Sequence, residues 1–145
     1  MKKLFCSVAL LAGCASLGCG KSGGDKDLPR ATVTGKVTLP GGAPLPGGTI
    51  NFRSTKMTHL IGSGEIQADG TYEAKDVPQG DCKVFIDNFA LKGKGAGGYA
   101  PPEGTKQPLP GTKYVEIKKK YTSENETDLT TNVAGSTHTY SVELK

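Results

Sequence analysis

The chain has no tryptophan, two histidines and two arginines, Arg30 and Arg53. Nucleic-acid binding normally needs a basic face in which arginines or aromatics can stack and read bases, so that class is set aside. The shortage of large flat rings also weakens a sugar-binding platform. His59 is followed by Leu60-Ile61-Gly62 and His138 by Thr139-Tyr140-Ser141, so neither begins an H-x-x-E pair, and no zinc site is expected. Cysteine is scarce where a disulfide framework would need it. Of four cysteines, Cys6, Cys14 and Cys19 precede the tether and only Cys82 lies in the body, which excludes paired disulfides and C-x-x-C metal sites there. No acidic residue precedes Asp25, and Lys2 and Lys3 account for two of the four net positive charges, so the remainder is only mildly basic.

Glycine and proline are abundant instead. Twenty-one Gly and nine Pro in 145 residues interrupt the chain too often for long helices and suit short strands joined by turns. The first residues differ from the rest. Lys2-Lys3 leads into the uncharged apolar run Leu4-Phe5-Cys6-Ser7-Val8-Ala9-Leu10-Leu11-Ala12-Gly13, which continues to Gly18 and ends in the polar Gly20-Lys21-Ser22-Gly23-Gly24-Asp25. A basic segment followed by an apolar one with no basic stop-transfer cluster is the pattern of a cleaved export signal.

Twice in this leader a small residue directly precedes a cysteine, in Leu11-Ala12-Gly13-Cys14 and in Ser16-Leu17-Gly18-Cys19. Both resemble the lipobox of bacterial lipoproteins. The resemblance implies diacylglyceryl transfer to the cysteine sulfur, cleavage just before it and N-acylation of the new terminus, with chains such as palmitate. One acyl chain binds a membrane only marginally at about 0.8 kcal/mol per buried methylene, so two or three on one residue make attachment lasting. Cys19 leaves a leader of ordinary length and sets the polar stretch directly after the anchor. Cys14 matches the motif better but leaves a short apolar region. Both stay open, with Cys19 preferred.

From Ala31 the apolar residues alternate. Val33, Val37 and Leu39 share one parity with Gly35, against Thr32, Thr34, Lys36 and Thr38, which predicts a half-buried strand. Pro40 to Gly48 must turn. Ile50 and Phe52 alternate again, and Ala68-Asp69-Gly70-Thr71-Tyr72 carries an Asp-Gly hairpin signal. Cys82, Val84 and Ile86 share a face opposite Lys83, Phe85 and Asp87, so Cys82 is expected in the core as a small hydrophobe. Residues 88–112 form a long insert containing Phe89 and Tyr99, and loops this long in small domains tend to serve function. Alternation returns in Tyr114-Val115-Glu116-Ile117, in Leu129 to Val133, and in Tyr140, Val142 and Leu144. These segments predict an all-β domain, a single seven-stranded antiparallel β-sandwich.

The ordered set Val33-Thr34-Gly35-Lys36-Val37, Pro44-Leu45-Pro46-Gly47-Gly48-Thr49-Ile50-Asn51-Phe52, Gly64-Glu65-Ile66, Asp69-Gly70-Thr71-Tyr72, Val77-Pro78-Gln79-Gly80 and Val84-Phe85-Ile86 resembles the carboxypeptidase regulatory-like domain. That resemblance covers about residues 31–87 and implies a sandwich of prealbumin or transthyretin-like type, acting as a non-catalytic accessory or binding module. The hydroxyisourate hydrolases of that group end in a Tyr-Arg-Gly-Ser-type motif, whereas this chain ends Ser141-Val142-Glu143-Leu144-Lys145.

The chain is expected to divide into a signal peptide at residues 1–18, a flexible lipidated tether at 19–30 and the β domain at 31–145. No enzyme activity is expected, because no acid, base and nucleophile come together. No metal or other cofactor is expected beyond the covalent lipid. The expected partners are a membrane, through the anchor, and an envelope protein or glycan, with Phe89 and Tyr99 as contact residues. A structural role belongs to the same expectation; a carbohydrate-binding module is the alternative, and a hydrolase-associated accessory protein the third choice. The expected location is the cell envelope, at the outer rather than the inner membrane, facing the periplasm or the exterior.

Overall fold

A computed structural model describes residues 28–94 and 109–145. The chain is all-β. Strands β1 (Arg30–Thr38), β2 (Thr49–Ser54), β3 (Ile61–Glu65), β4 (Thr71–Pro78) and β5 (Gly80–Asp87) are followed by a 3-10 helix (Phe89–Lys94) and the short helix α1 (Lys119–Thr122). Strands β6 (Thr130–Val133), β7 (Thr137–Thr139) and β8 (Val142–Glu143) complete the chain. Hydrogen-bonded neighbours run β6-β5-β2-β3-β4-β1-β7, with β8 also on β1.

The predicted alternation sets the inner faces. Val33, Val37, Ile50, Phe52, Val84 and Ile86 are fully buried, and Cys82 nearly so. In β1, Gly35 continues the inward parity because nothing larger fits: a Cβ there would land on the carbonyl of Tyr140. In β3, Gly62 and Gly64 face inward, where a Cβ would stand 2.5 Å from Val77 Cα and 2.6 Å from the Glu73 carbonyl oxygen. Glycine at both positions lets β3 fold closely over β4, where the two strands share the single register pair Ser63 and Lys75. The Asp-Gly turn forms as read: Gly70 takes φ 81°, Asp69 accepts from the Thr71 backbone N–H at 3.0 Å, and Ile66 bridges to Tyr72.

A bulge in β4 was not legible. Ala31 and Val33 of β1 oppose Val77 and Ala74, so one side advances by two residues and the other by three. Asp76 absorbs the extra residue at φ 55°, a conformation aspartate tolerates, and Arg30 Nη1 donates to its carbonyl at 2.9 Å. The parity switch brings both Ala74 and Val77 into the core.

Two expectations are corrected. The sheet is mixed rather than wholly antiparallel, because β7 and β8 run parallel to β1. After β6, antiparallel to β5, a connection with Gly135 at φ 73° delivers the chain to the beginning of β1, where Thr32 N donates to the Ser136 carbonyl at 2.9 Å. A strand entering beside the start of β1 can only run with it. Among the described residues the number of strands is eight rather than seven, because the predicted final strand is divided into β7 and β8 and Tyr114–Ile117 joins no ladder. Val115 and Ile117 nevertheless pack against the core.

The result is close to a closed barrel. β6 and β7 flank the opening between β5 and β1, with Thr131 Oγ1 and His138 Nε2 3.2 Å apart. The core inside centres on Phe52, whose ring lies 6.1 Å from Tyr72 and 6.2 Å from Tyr140. The Tyr72 hydroxyl donates to the Tyr140 carbonyl, beside Gly35.

Candidate functional site

The fold has two poles. Arg30 at the start of β1 pairs with Pro78 at the end of β4, Gln79 N donates to the Pro29 carbonyl at 2.8 Å, and β5 starts from there at Gly80. Eight residues later, roughly 26 Å at about 3.3 Å per residue, β5 ends at Asp87 beside Thr49. The chain therefore enters the domain at one pole, and the insert leaves it at the other.

The base of the insert is fastened by local bonds. Asn88 is buried, and its Nδ2 donates to the Val115 carbonyl at 2.6 Å, joining the outgoing and returning segments. Asp87 Oδ1 accepts from Phe89 N at 3.0 Å and starts the 3-10 turn. Leu91 plugs inward beneath it, while Lys113 N donates to the Pro46 carbonyl at 2.7 Å.

Phe89 is left outside, 72% exposed, whereas Ile61 at 39% is the other exposed large hydrophobic among the described residues. Residues three apart eclipse on a 3-10 helix, so Lys92 lies over Phe89, its Nζ 5.9 Å from the ring centroid and 5.7 Å from that of half-buried Tyr114. Such exposed cation–ring contacts contribute about 0.5–1 kcal/mol. Lys92 and Tyr114 were not singled out from the sequence. The i, i+3 spacing of Phe89 and Lys92 was visible there, but without the helix it had no meaning.

Of the other expected site residues, Cys14, Cys19 and Tyr99 lie outside the described residues. His59 is exposed between β2 and β3, and His138 on β7 contacts Thr131. Among the described residues no three His, Cys, Asp or Glu side chains are grouped as metal ligands would be. Asp69 is held below the usual carboxylate range by bonds from the Thr71 side chain and backbone, which commits it to its turn. A hollow of about 220 Å³ over the Asp76 bulge, lined by Arg30, Lys75 and Ser136, is smaller than typical ligand pockets.

Cys82 is the one free thiol among the described residues, and it donates to the Pro78 carbonyl at 3.3 Å. Burial, then the Asp81 carboxylate, pushes its pKa from 9.0 up to about 11. At pH 8 the folded thiol should therefore alkylate about a hundredfold more slowly than in denaturant, from its thiolate fraction alone. Because the folded pKa is the raised one, this group's contribution to stability holds below about pH 9 and is lost as pH climbs toward 11. Iodoacetamide labelling followed by mass spectrometry, with and without urea, checks the rate; fast labelling of the folded protein would show the site to be open.

No family model matches the chain, and no curated protein matches it in sequence. Among solved structures, the major pilin subunit BcpA of Bacillus cereus is similar with a TM-score of 0.43 and 14% identity, over 79% of this chain and 29% of the pilin. The chain thus spans less than a third of that protein's length.

Proposed function

We propose that this protein is a lipid-anchored, non-catalytic module of the bacterial cell envelope, held at the outer membrane and facing the periplasm or the exterior. The observation that carries this reading is the small residue before Cys19, and likewise before Cys14, at the end of a basic and then apolar leader. A diacylglyceryl group on that sulfur and an N-acyl chain would supply the membrane affinity without a transmembrane helix. In this reading the sandwich is of the carboxypeptidase regulatory-like, transthyretin-related kind, and its role is to bind a protein or glycan or to serve structurally.

The two poles support the reading. The residues between Cys19 and Arg30 reach at most about 40 Å when extended, which keeps the domain near the bilayer without fixing its orientation. The described ends of the insert, joined by Asn88 and Val115, lie at the pole away from the point where the tether enters, and are open to a partner there.

Intact-mass analysis of the N-terminal peptide from native membranes should find a mature terminus at Cys19 carrying acyl chains. Cys19→Ser should leave uncleaved precursor without acyl chains, while Cys14→Ser should change neither cleavage nor acylation. An unlipidated mature terminus would overturn the anchor, and the reverse result for the two variants would move it to Cys14.

A further inference from the structure

We propose that the surface around Phe89 docks an acidic protein segment that also carries an apolar side chain. The proposal rests on the reading of the domain as an envelope binding module and narrows what it binds.

Three observations point this way. Phe89 is a large apolar side chain left 72% exposed on a base that is otherwise tightly fastened, so its exposure does not follow from a loose backbone. Lys92 covers part of the ring and faces the Tyr114 ring as well, which sets a fixed positive charge beside an apolar surface. Further lysines follow on the returning segment, where Lys113, Lys118 and Lys119 are exposed and Lys120 is held by Asp128 at 2.7 Å.

The choice of occupant follows from what the surface lacks among the described residues. Sugar recognition needs hydrogen-bonding side chains beside the ring, yet Asp87 is engaged by the Phe89 backbone and Asn88 by Val115. Phosphate recognition favours the arginine fork, and both arginines, Arg30 and Arg53, lie outside residues 88–120. Lysines act as point charges that suit spread-out carboxylates, and Phe89 offers burial to a neighbouring apolar side chain. A bilayer would also accept an aromatic flanked by lysines, and binding to anionic vesicles is the outcome of the test that separates the two.

The test uses a short fluorescein-labelled peptide rich in glutamate with interspersed leucines, read by fluorescence anisotropy. Binding is measured with the intact protein in neutral-lipid nanodiscs and with the Cys14→Ser/Cys19→Ser double variant held in the same nanodiscs by its uncleaved leader. If lipidation fails, the double variant still decides the docking. The expected result is saturable binding that weakens about tenfold or more as salt is raised. It should weaken roughly tenfold in Phe89→Ala and several-fold in Lys92→Ala, with unchanged melting of both variants. Absence of binding, equal binding by a leucine-free glutamate peptide, equal binding by Phe89→Ala, or tighter binding to polygalacturonate or anionic vesicles would each overturn the proposal.

Discussion

Replacing Gly35 by alanine should cost this domain about 3–5 kcal/mol of stability, although it adds one methyl group. Gly35 lies on the inward parity of β1, and a Cβ there would fall on the Tyr140 carbonyl oxygen and within 3.0 Å of the Tyr72 hydroxyl. Three partners meet at that point. Tyr140 N donates to the Thr34 carbonyl at 2.9 Å, and its own carbonyl accepts from Tyr72. The methyl can be admitted only by moving the chain between β7 and β8 away from β1, which breaks this closure and strips a partner from a buried hydroxyl. Overpacking with a lost buried hydrogen bond places the substitution in the severe tail of mutational effects. Against total stabilities of about 5–15 kcal/mol, it should lower the melting temperature by roughly 10–20 °C. Gly41→Ala provides the comparison. Gly41 has φ 91° with nothing within 4 Å of an added Cβ, so only backbone strain of about 1 kcal/mol should appear. Urea unfolding of the two variants decides the matter, and equal losses would mean that the close approach of Tyr140 to Gly35 is not a constraint on the fold.

Phe52→Ala should cost a comparable 3–5 kcal/mol for the opposite reason, a void in place of a clash. Phe52 is fully buried on β2 and touches Tyr72 from β4 and Tyr140 from the closing segment, so its ring is the common neighbour of elements far apart in sequence. Removing it takes away both the transfer free energy of the ring and its edge contacts, and the backbone ladders of β2 with β3 and β5 limit how far the site can collapse. Phe89→Ala makes the same chemical change on the surface and should shift stability by no more than about 0.5 kcal/mol. Thermal melts followed by circular dichroism give both values. A small effect at Phe52 would mean that the core repacks freely around the lost ring.

The strands whose partners lie close by were readable in the chain. Val33 and Val37, Ile50 and Phe52, and Cys82, Val84 and Ile86 occupy the inner faces that their alternation indicates, because a pleated strand with one side buried imposes a period of two on its own residues. The Asp69-Gly70 turn was readable for a similar local reason, since positive φ is needed there and glycine provides it. Tyr114 to Ile117 shows where this reasoning stops. Its alternation reports burial of Val115 and Ile117 on the core, but burial on one side does not require a hydrogen-bonded neighbour, and none of the strands takes it into a ladder. The Asp76 bulge was hidden because a single extra residue matters only relative to a partner strand 45 residues away.

At the candidate site, Phe89 was identified from its place in a long insert, whereas Lys92 and Tyr114 were not. Their association depends on a 3-10 turn and on Asn88 drawing the returning chain to the outgoing one. By itself, then, the sequence determined the all-β class, the inward residues of the main strands and the burial of Cys82, since each of these is written in neighbouring residues. Only the tertiary structure decided that β7 and β8 run parallel to β1, that Gly35 must be glycine, and that the described ends of the insert meet at the pole opposite the point of entry. Direction, close approach and polarity are relations between segments distant along the chain, and no local pattern encodes them until those segments pack.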